Sequence, residues 1–128
     1  LYIMSVLCPC GSQLEKDKCC LPYINGTSFP QTPEALMRSR YTAYTLHNAD
    51  YIYLTTTPNK RKYHSKTDIL AWAKSCHWVK LEVLSAKADV VTFKAYYLDE
   101  KLRPQVHYER SVFEKINDVW YYKDGTFA

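Results

Sequence analysis

The stretch WVKLEVL, Trp78–Leu84, is where the hydrophobic pattern of this 128-residue chain changes from helical spacing to strand-like alternation. Val79, Leu81 and Val83 alternate with charged side chains there, which is the period-two pattern of a strand with one buried face. Three more segments of this kind follow it: VVTFKAYYL from Val90, VHYERSVF from Val106 and VWYY from Val119. The Asn-Asp pair at 117–118, between the last two, is typical of a tight hairpin turn. The second half of the chain therefore predicts an antiparallel meander of four strands.

Upstream of that stretch, the residues from Thr32 onward carry the signals of a long helix. Thr32 is a favoured N-cap residue, and Pro33 suits the first helical position because proline has no N–H to leave unpaired. Met37, Tyr41 and Tyr44 then recur at spacings of four and three, which places them on one apolar stripe. The sequence HNAD breaks this spacing, so we expect the helix to end there.

Two shorter helices are predicted between this helix and the first strand. One covers Tyr51–Thr57 and stops before Pro58, because the residue before a proline disfavours helical backbone. The other opens at Ser65 and Asp68, whose S-x-x-D spacing resembles a capping box. Three apolar residues of this helix are expected to face inward: Ile69, Trp72 and Ala73. Helices followed by a meander form the α+β pattern, in which the helices cover one face of the sheet.

Four of the five cysteines lie within thirteen residues, in the segment CPCGSQLEKDKCC. These four are Cys8, Cys10, Cys19 and Cys20. Disulfides are the alternative, but adjacent cysteines bridge each other only with strain and no export signal precedes them. Four thiolates suit a tetrahedral zinc site, which is structural because no ligand position stays open. We therefore predict that these four cysteines bind zinc.

The fifth cysteine, Cys76, precedes His77 and has the residue types of a nucleophile beside a base. Adjacent residues of a helix point about 100° apart, so the two side chains are poorly placed for proton transfer. We expect Cys76 to be a small buried residue on a helix face.

Composition and charge argue against several classes of protein. Only three glycines are present, and neither GxGxxG nor GxxxxGK[ST] occurs, so the common nucleotide-binding loops are absent. No run reaches the roughly 18 apolar residues of a membrane span, and the opening LYIMSVL is too short for a signal sequence. A net charge of +4 permits acidic partners without requiring them. We expect a cytosolic protein with reduced thiols, and a trimmed or non-standard start before the first methionine.

The cysteine segment and several downstream motifs resemble a known bacterial family. CPCGS with the paired cysteines that follow is similar to the SEC-C zinc motif, found at the C-terminus of the SecA translocase. Further motifs have the order and spacing of the YchJ-like family: LMRSRYTAY from Leu36, ADY from Ala49, ERS from Glu109 and WYYKDGT from Trp120. This resemblance implies a SEC-C zinc motif, which we place at 1–28, joined to a cone-shaped domain like nuclear transport factor 2 at 29–128. About three helices would pack there on a curved, four-stranded antiparallel sheet.

Cone folds of this type often leave a pocket between the sheet and a helix. Six residues are candidates for such a pocket or for a structural polar network: Arg38, Arg40, Tyr41, His107, Glu109 and Trp120. Arg38 and Arg40 lie about 200° apart around their helix, so both cannot point into one cavity. Arg40 shares a helix row with Leu36 and Tyr44, so we expect it to be the more buried of the two.

Three of the residues on the third predicted strand share one face: His107, Glu109 and Ser111. His107 and Ser111 would stand about 13 Å apart, too far for direct proton transfer. His107 and Glu109, roughly 7 Å apart, could act on one substrate as acid and base. The alternative is a buried or rim salt link, such as Glu109 with Arg40, and we assign no residue as catalytic.

Three functions stay open at this point, and we expect binding rather than catalysis. The resemblance to SecA implies a zinc-stabilised docking surface for a protein partner, displaying Leu14, Lys16, Lys18 and Leu21. The alternative is a ligand-binding or hydrolase-like pocket in the cone, lined by Tyr41, His107, Glu109 and Trp120. Weak nucleic-acid binding is the third, through the basic segment NKRKYHSK from Asn59. The open face of the sheet is also compatible with a homodimer.

Overall fold

The computed structural model describes residues 6–127. Residues 1–5 and 128, and with them our expectation about the start of the chain, lie outside the described residues. The elements in chain order are α1 (Leu21–Ile24), α2 (Pro33–Thr45), α3 (Ala49–Leu54), α4 (Lys66–Ser75), β1 (His77–Lys87), β2 (Val90–Leu98), β3 (Pro104–Ile116) and β4 (Val119–Phe127). Short 3-10 segments cover Lys16–Lys18 and Pro58–Tyr63. Over residues 6–127, no helix is both long and apolar enough to cross a membrane.

The strands form one antiparallel sheet in the order β1-β2-β3-β4, as the alternating segments predict. Between β3 and β4, Asn117 and Asp118 both adopt positive φ, at 49° and 66°. This left-handed backbone is what a two-residue hairpin turn of type I′ requires. Helix α2 lies across the sheet in contact with β1, β2 and β4. The α+β prediction is therefore confirmed.

Helix α2 begins where its capping signal predicts. Oγ1 of Thr32 accepts a hydrogen bond from the backbone N–H of Ala35 at 3.1 Å, which satisfies one of the unpaired donors of the first turn. Leu36, Met37 and Tyr41 follow on the buried face and join the core beneath the sheet. Burial of this stripe, more than helix propensity, holds the helix in place.

Helix α3 differs from its prediction at both ends. We predicted Tyr51–Thr57, but the side chain of Asn48 caps the helix, which therefore starts earlier. It also ends earlier, because the residues before Pro58 pair with β4. The N–H of Thr57 donates to the carbonyl of Tyr122 at 2.9 Å, and the N–H of Tyr122 donates to the carbonyl of Thr55 at 2.7 Å. A strand-like bridge thus replaces the last turn of the predicted helix.

Strand β1 contains a bulge that changes which side chains face the core. Its pairing with β2 shifts register between Trp78 and Lys80. Trp78 consequently packs against the core, whereas Val79 is 59% exposed. The predicted inward position of Val79 is wrong, because an extra residue in a bulge re-aims the side chains next to it. Leu81 and Val83 beyond the bulge do face inward.

Helix α4 is capped by the side chain of Ser65, as predicted, and buries Ile69 and Ala73. Trp72 is 40% exposed, so its predicted inward orientation holds only in part. Cys76 is buried, but it follows the last helical residue and has extended backbone. The expectation of a buried thiol is confirmed, and its placement on a helix face is wrong.

The cysteine segment and the cone share one hydrophobic cluster. Cys8, Cys10 and Cys20 belong to the same buried group as Leu36 and Phe93. The division into residues 1–28 and 29–128 stays a prediction. It describes two sequence motifs whose side chains pack in a common core.

Candidate metal centre and cone cavity

The four predicted metal ligands come together in the segment of residues 7–20, which we call the knuckle. Their four Sγ atoms all lie within 4.8 Å of one another. The Sγ of Cys19 is 3.6 Å from that of Cys10 and 3.8 Å from that of Cys20. A tetrahedral site with Zn–S bonds of about 2.3 Å places its sulfurs about 3.8 Å apart. The spacing therefore fits four thiolates around one ion, whereas a disulfide would bring two sulfurs to about 2.05 Å.

A tight backbone turn brings the first two cysteines to the ion site. The N–H of Cys8 donates to the carbonyl of Leu14 at 2.8 Å, which closes the turn. Gly11 has φ +83° and Gln13 has φ +67°. Only glycine adopts this left-handed backbone without cost, so Gln13 is strained where Gly11 is not. The hydroxyl of Ser12 lies 3.1 Å from Sγ of Cys19 and orients this ligand.

Two thiols of the knuckle, those of Cys19 and Cys20, have raised pKa values that oppose their ionisation. A hydrogen bond from Cys20 lowers the pKa of Cys10 to about 4. That same hydrogen bond raises the pKa of Cys20, and burial raises the pKa of Cys19. The chain by itself therefore favours a thiolate at Cys10 beside protonated thiols at Cys19 and Cys20. A divalent cation removes this restriction, because metal binding displaces thiol protons.

Arg38 joins the knuckle to α2 and does not line the cone cavity. Its Nη1 donates to the carbonyl of Cys10 at 2.6 Å, and its Nε donates to Oε2 of Glu34 at 2.9 Å. Sγ of Cys8 lies 3.5 Å from Oγ1 of Thr42, one turn further along the helix. The opposite directions predicted for Arg38 and Arg40 are confirmed. Arg38 acts as an anchor for the knuckle backbone.

A cavity of about 220 Å³ lies between the sheet and the helices. Of the predicted candidates, it is lined by Arg40, Tyr41, His107 and Glu109. Trp120, predicted as a lining residue, instead packs on the hydrophobic cluster. Trp120 is closer to the β3–β4 turn than Tyr122, which does line the cavity. Alternation along β4 therefore predicted the correct face of the sheet for Trp120 but not its position along the strand.

Glu109, which is 7% exposed, is the centre of a hydrogen-bonded group that we call the Glu109 network. Its Oε1 is 2.8 Å from Nε2 of His107. Its Oε2 accepts hydrogen bonds from the hydroxyls of Ser111 at 2.5 Å and Tyr122 at 2.9 Å. Burial alone would raise the pKa of Glu109, but these three hydrogen bonds outweigh it and lower that pKa. The network holds Glu109 as a carboxylate.

The network corrects two predictions from the sequence. His107 and Glu109 were placed roughly 7 Å apart from backbone spacing, but their side chains lean together into direct contact. The salt link of Glu109 with Arg40, which the sequence analysis gave as an example, does not form, and Glu109 contacts His107 instead. Nη1 of Arg40 donates to the carbonyl of Ile52 at 2.9 Å, and its guanidinium lies 4.4 Å from the ring centroid of Tyr122. The ring of Tyr122 thus connects Arg40 with Glu109.

Two residues of this site were missed at the sequence level, Tyr122 and Gly125. Tyr122 is one of twelve tyrosines, and its type alone does not distinguish it. A Cβ built on Gly125 would collide with Oε2 of Glu109 and the hydroxyl of Tyr122. A glycine inside a strand often marks such a close approach, so Gly125 in β4 carried a usable signal.

Comparison with known proteins identifies the family. Residues 32–125 match the family described as YchJ, middle NTF2-like domain. A UPF0225 protein of Serratia proteamaculans is 42% identical over 130 residues, covering 96% of this chain and 84% of that protein. A UPF0225 protein of Geobacter sulfurreducens is 40% identical over 129 residues, covering 95% of this chain and 80% of that protein.

Two solved structures share the fold across almost the whole chain. The solution structure of a SEC-C motif containing protein from Rhodopseudomonas palustris has a TM-score of 0.88 and 38% identity, covering 96% of this chain and 99% of that one. A crystal structure of a SEC-C motif containing protein from Psychrobacter arcticus has a TM-score of 0.79 and 31% identity, covering 95% and 82%. The chain therefore belongs to the YchJ family, known as UPF0225 proteins, and joins a SEC-C-like cysteine cluster to an NTF2-like domain.

Proposed function

We propose that the knuckle binds one zinc ion and that its outer face docks a protein partner. The observation that carries the metal assignment is the spacing of the four sulfurs. Four thiolates with no open position are the usual set for structural zinc, because zinc accepts soft ligands and tetrahedral geometry. Zinc acts here as a support for the knuckle backbone.

The side chains around the ion site divide into an inner and an outer face. Cys8, Cys10 and Cys20 are buried against the cone. On the outer side, Leu14 is 55% exposed and the side chain of Lys18 is 79% exposed. Two further residues of the predicted surface, Lys16 and Leu21, are half-buried. An apolar residue beside a basic one suits a partner segment that combines apolar and acidic side chains.

Site-specific cross-linking tests this docking role. A photoreactive amino acid at Leu14 is expected to form an adduct with a protein partner in cells, and the adduct should disappear when zinc ligation is removed by Cys20→Ala. The same group at Thr67, exposed on α4, serves as the matched control. Equal labelling from both positions, or labelling at Leu14 that survives Cys20→Ala, would contradict the docking proposal.

A second candidate function is the binding of a small organic molecule in the cone, and the cavity favours it. Its volume of about 220 Å³ is smaller than the roughly 300–1,000 Å³ of pockets for drug-sized molecules, so it suits only a compact ligand. Its walls present a buried carboxylate and an arginine among aromatic rings. A few polar groups in an apolar pocket are the usual composition of a small-molecule site.

The basic segment is the weaker candidate, because two of its four basic side chains are engaged within the chain. Arg61 donates to backbone carbonyls, including that of Leu54 at 2.9 Å. Nζ of Lys66 pairs with Oδ1 of Asp50 at 2.9 Å. Nucleic-acid binding, a homodimer and a cytosolic location stay predictions from the sequence.

A further inference from the structure

The cone cavity has the size and the walls of a site for a ring-shaped molecule. An apolar cavity of about 150 Å³ admits benzene, so about 220 Å³ accommodates one or two rings. Trp78 is the centre of its aromatic wall. Its ring lies 6.1 Å from that of Trp72 and 5.9 Å from that of Tyr41, both nearly edge-to-face. Ring edges and faces in this arrangement offer contacts to a further aromatic ring.

Three polar groups that face the cavity already use their hydrogens within the protein: the hydroxyls of Ser111 and Tyr122 and Nη1 of Arg40. Ionised Glu109 can only accept hydrogen bonds, so Ser111 and Tyr122 both direct their hydroxyl protons at it. Nη1 of Arg40 donates to the carbonyl of Ile52 at 2.9 Å and to the hydroxyl of Thr55 at 2.7 Å. These groups therefore already donate hydrogen bonds to atoms of the protein and are not available to a ligand.

His107 differs from the other members of the network. Because Glu109 only accepts, Nε2 of a neutral His107 must carry the ring proton, which leaves Nδ1 with a lone pair. Nδ1 has no hydrogen-bond partner among residues 6–127. The side chain is 30% exposed and lines the cavity, with its ring 6.2 Å from Phe93 and 5.1 Å from Phe127. In its neutral form, His107 thus brings an acceptor to the cavity wall between aromatic neighbours.

Resting on the small-molecule function proposed above, we infer that the cavity binds a neutral molecule of one or two rings whose O–H or N–H donates to Nδ1 of His107. Glu109 is a positioning residue in this site, because its carboxylate fixes the imidazole tautomer. A neutral ligand is favoured because the cavity already contains one negative group, Glu109, and one positive group, Arg40.

Phenol and anisole form a matched pair of probes for this inference. Both carry one ring, but only phenol has an O–H to donate. Titrations of the isotopically labelled, metal-loaded protein by NMR should show both binding, with phenol roughly five- to tenfold tighter because of one added hydrogen bond to a buried acceptor. Phenol, but not anisole, should shift the Nδ1 resonance of His107, and this readout needs no variant.

Two variants then separate His107 from Glu109. His107→Phe keeps a ring and removes the acceptor, so phenol and anisole should bind it equally. Glu109→Gln should change the tautomer signature of His107 in long-range ¹H–¹⁵N spectra, which a purely structural role would leave unchanged.

The outcomes distinguish the two proposals. If neither probe binds at millimolar concentration, the small-molecule function of the cone fails, and this inference fails with it. Equal binding of both probes to the native chain would overturn only the acceptor role of His107. A phenol preference that persists in folded His107→Phe would overturn that role as well.

Discussion

The knuckle and the Glu109 network are both buried clusters of ionisable groups, but they balance charge in opposite ways. The knuckle gathers four thiols within 4.8 Å, and beside them Arg38, which donates to the carbonyl of Cys10, supplies a single positive charge. The network surrounds one carboxylate with three hydrogen-bond donors from β3 and β4. The first cluster therefore has the composition of a metal site, whereas the second satisfies its charge with groups of the chain.

This difference determines how each cluster contributes to the stability of the protein. A site that needs an ion couples folding to metal supply, because the free energy of metal binding becomes free energy of folding. A self-contained network contributes stability at all times and orients what it touches, here the imidazole of His107. The predictions below test that contrast, beginning with the largest expected effect.

Removal of one metal ligand should have the largest effect. Cys20→Ala is expected to abolish stoichiometric metal binding and to lower the free energy of unfolding by roughly 3 kcal/mol or more, since structural zinc contributes roughly 10–16 kcal/mol to folded sites. Metal analysis and urea unfolding measure both effects. Cys76→Ala, at a buried thiol outside the cluster, is the matched control and should keep the metal. Equal metal loss in both variants would contradict the assignment.

Removing the charge of Glu109 should lower the free energy of unfolding by less than the loss of a metal ligand does. The size of this effect should depend on pH. Glu109→Gln is expected to lower the free energy of unfolding at neutral pH by about 1–3 kcal/mol, as charge-assisted hydrogen bonds weaken. Because folding lowers the pKa of Glu109, its contribution is present above the ordinary carboxyl value of 4.5 and declines as pH falls through the folded-state pKa.

Urea unfolding of the native chain and Glu109→Gln between pH 7 and pH 3 measures this difference. Both proteins contain the knuckle, so loss of metal in acid affects them equally. The gap between them should narrow below pH of about 4.5. A gap that stays constant or widens in acid would show that the carboxylate charge is not what the network stabilises.

Filling the space at Gly125 should disturb the network without removing any polar group. In Gly125→Ala the added methyl must displace Glu109 or Tyr122, so we expect a loss of about 1–3 kcal/mol and a changed environment of His107. Thr126→Ala, at the exposed neighbour, should change stability by no more than about 0.5 kcal/mol. Thermal and urea unfolding with histidine NMR test this, and equal effects of the two changes would refute the close approach.

The smallest effect is expected at Gln13, where the knuckle has strained backbone. Gln13→Gly should raise the free energy of unfolding by up to about 1 kcal/mol, because glycine relieves the left-handed conformation but loses more entropy on folding. Gln13→Ala keeps the Cβ and should bring no gain. If alanine stabilises as much as glycine, the strain is not in the backbone.

Features that depend on residues close together in the sequence were predicted, whereas features that depend on distant residues were not. The four cysteines of the knuckle lie within thirteen residues, so their spacing alone predicted that their thiols come together. The capping of α2 and the β3–β4 turn are local as well, and both were predicted. Arg40 donates to a carbonyl of α3 and lies over the ring of Tyr122. Both partners come from other parts of the chain, so no local pattern predicts them.

Two of the remaining errors concern residues on strands. Alternation assumes regular pairing, and the bulge at Trp78 turned Val79 outward. Backbone spacing also neglects the lean of side chains, which brought His107 against Glu109. The face of a strand residue was thus predictable only where strand pairing is regular, and its position in the cone and its contacts required tertiary structure.

The identity of the ion that the knuckle is proposed to bind is the property that most needs measurement. X-ray absorption at the zinc edge, combined with metal content of reduced protein, measures it in one sample. We expect one zinc per chain with four sulfur neighbours at about 2.3 Å. The zinc assignment would be contradicted by a protein without stoichiometric zinc, by nitrogen or oxygen among the atoms bonded to zinc, or by sulfurs bonded to each other.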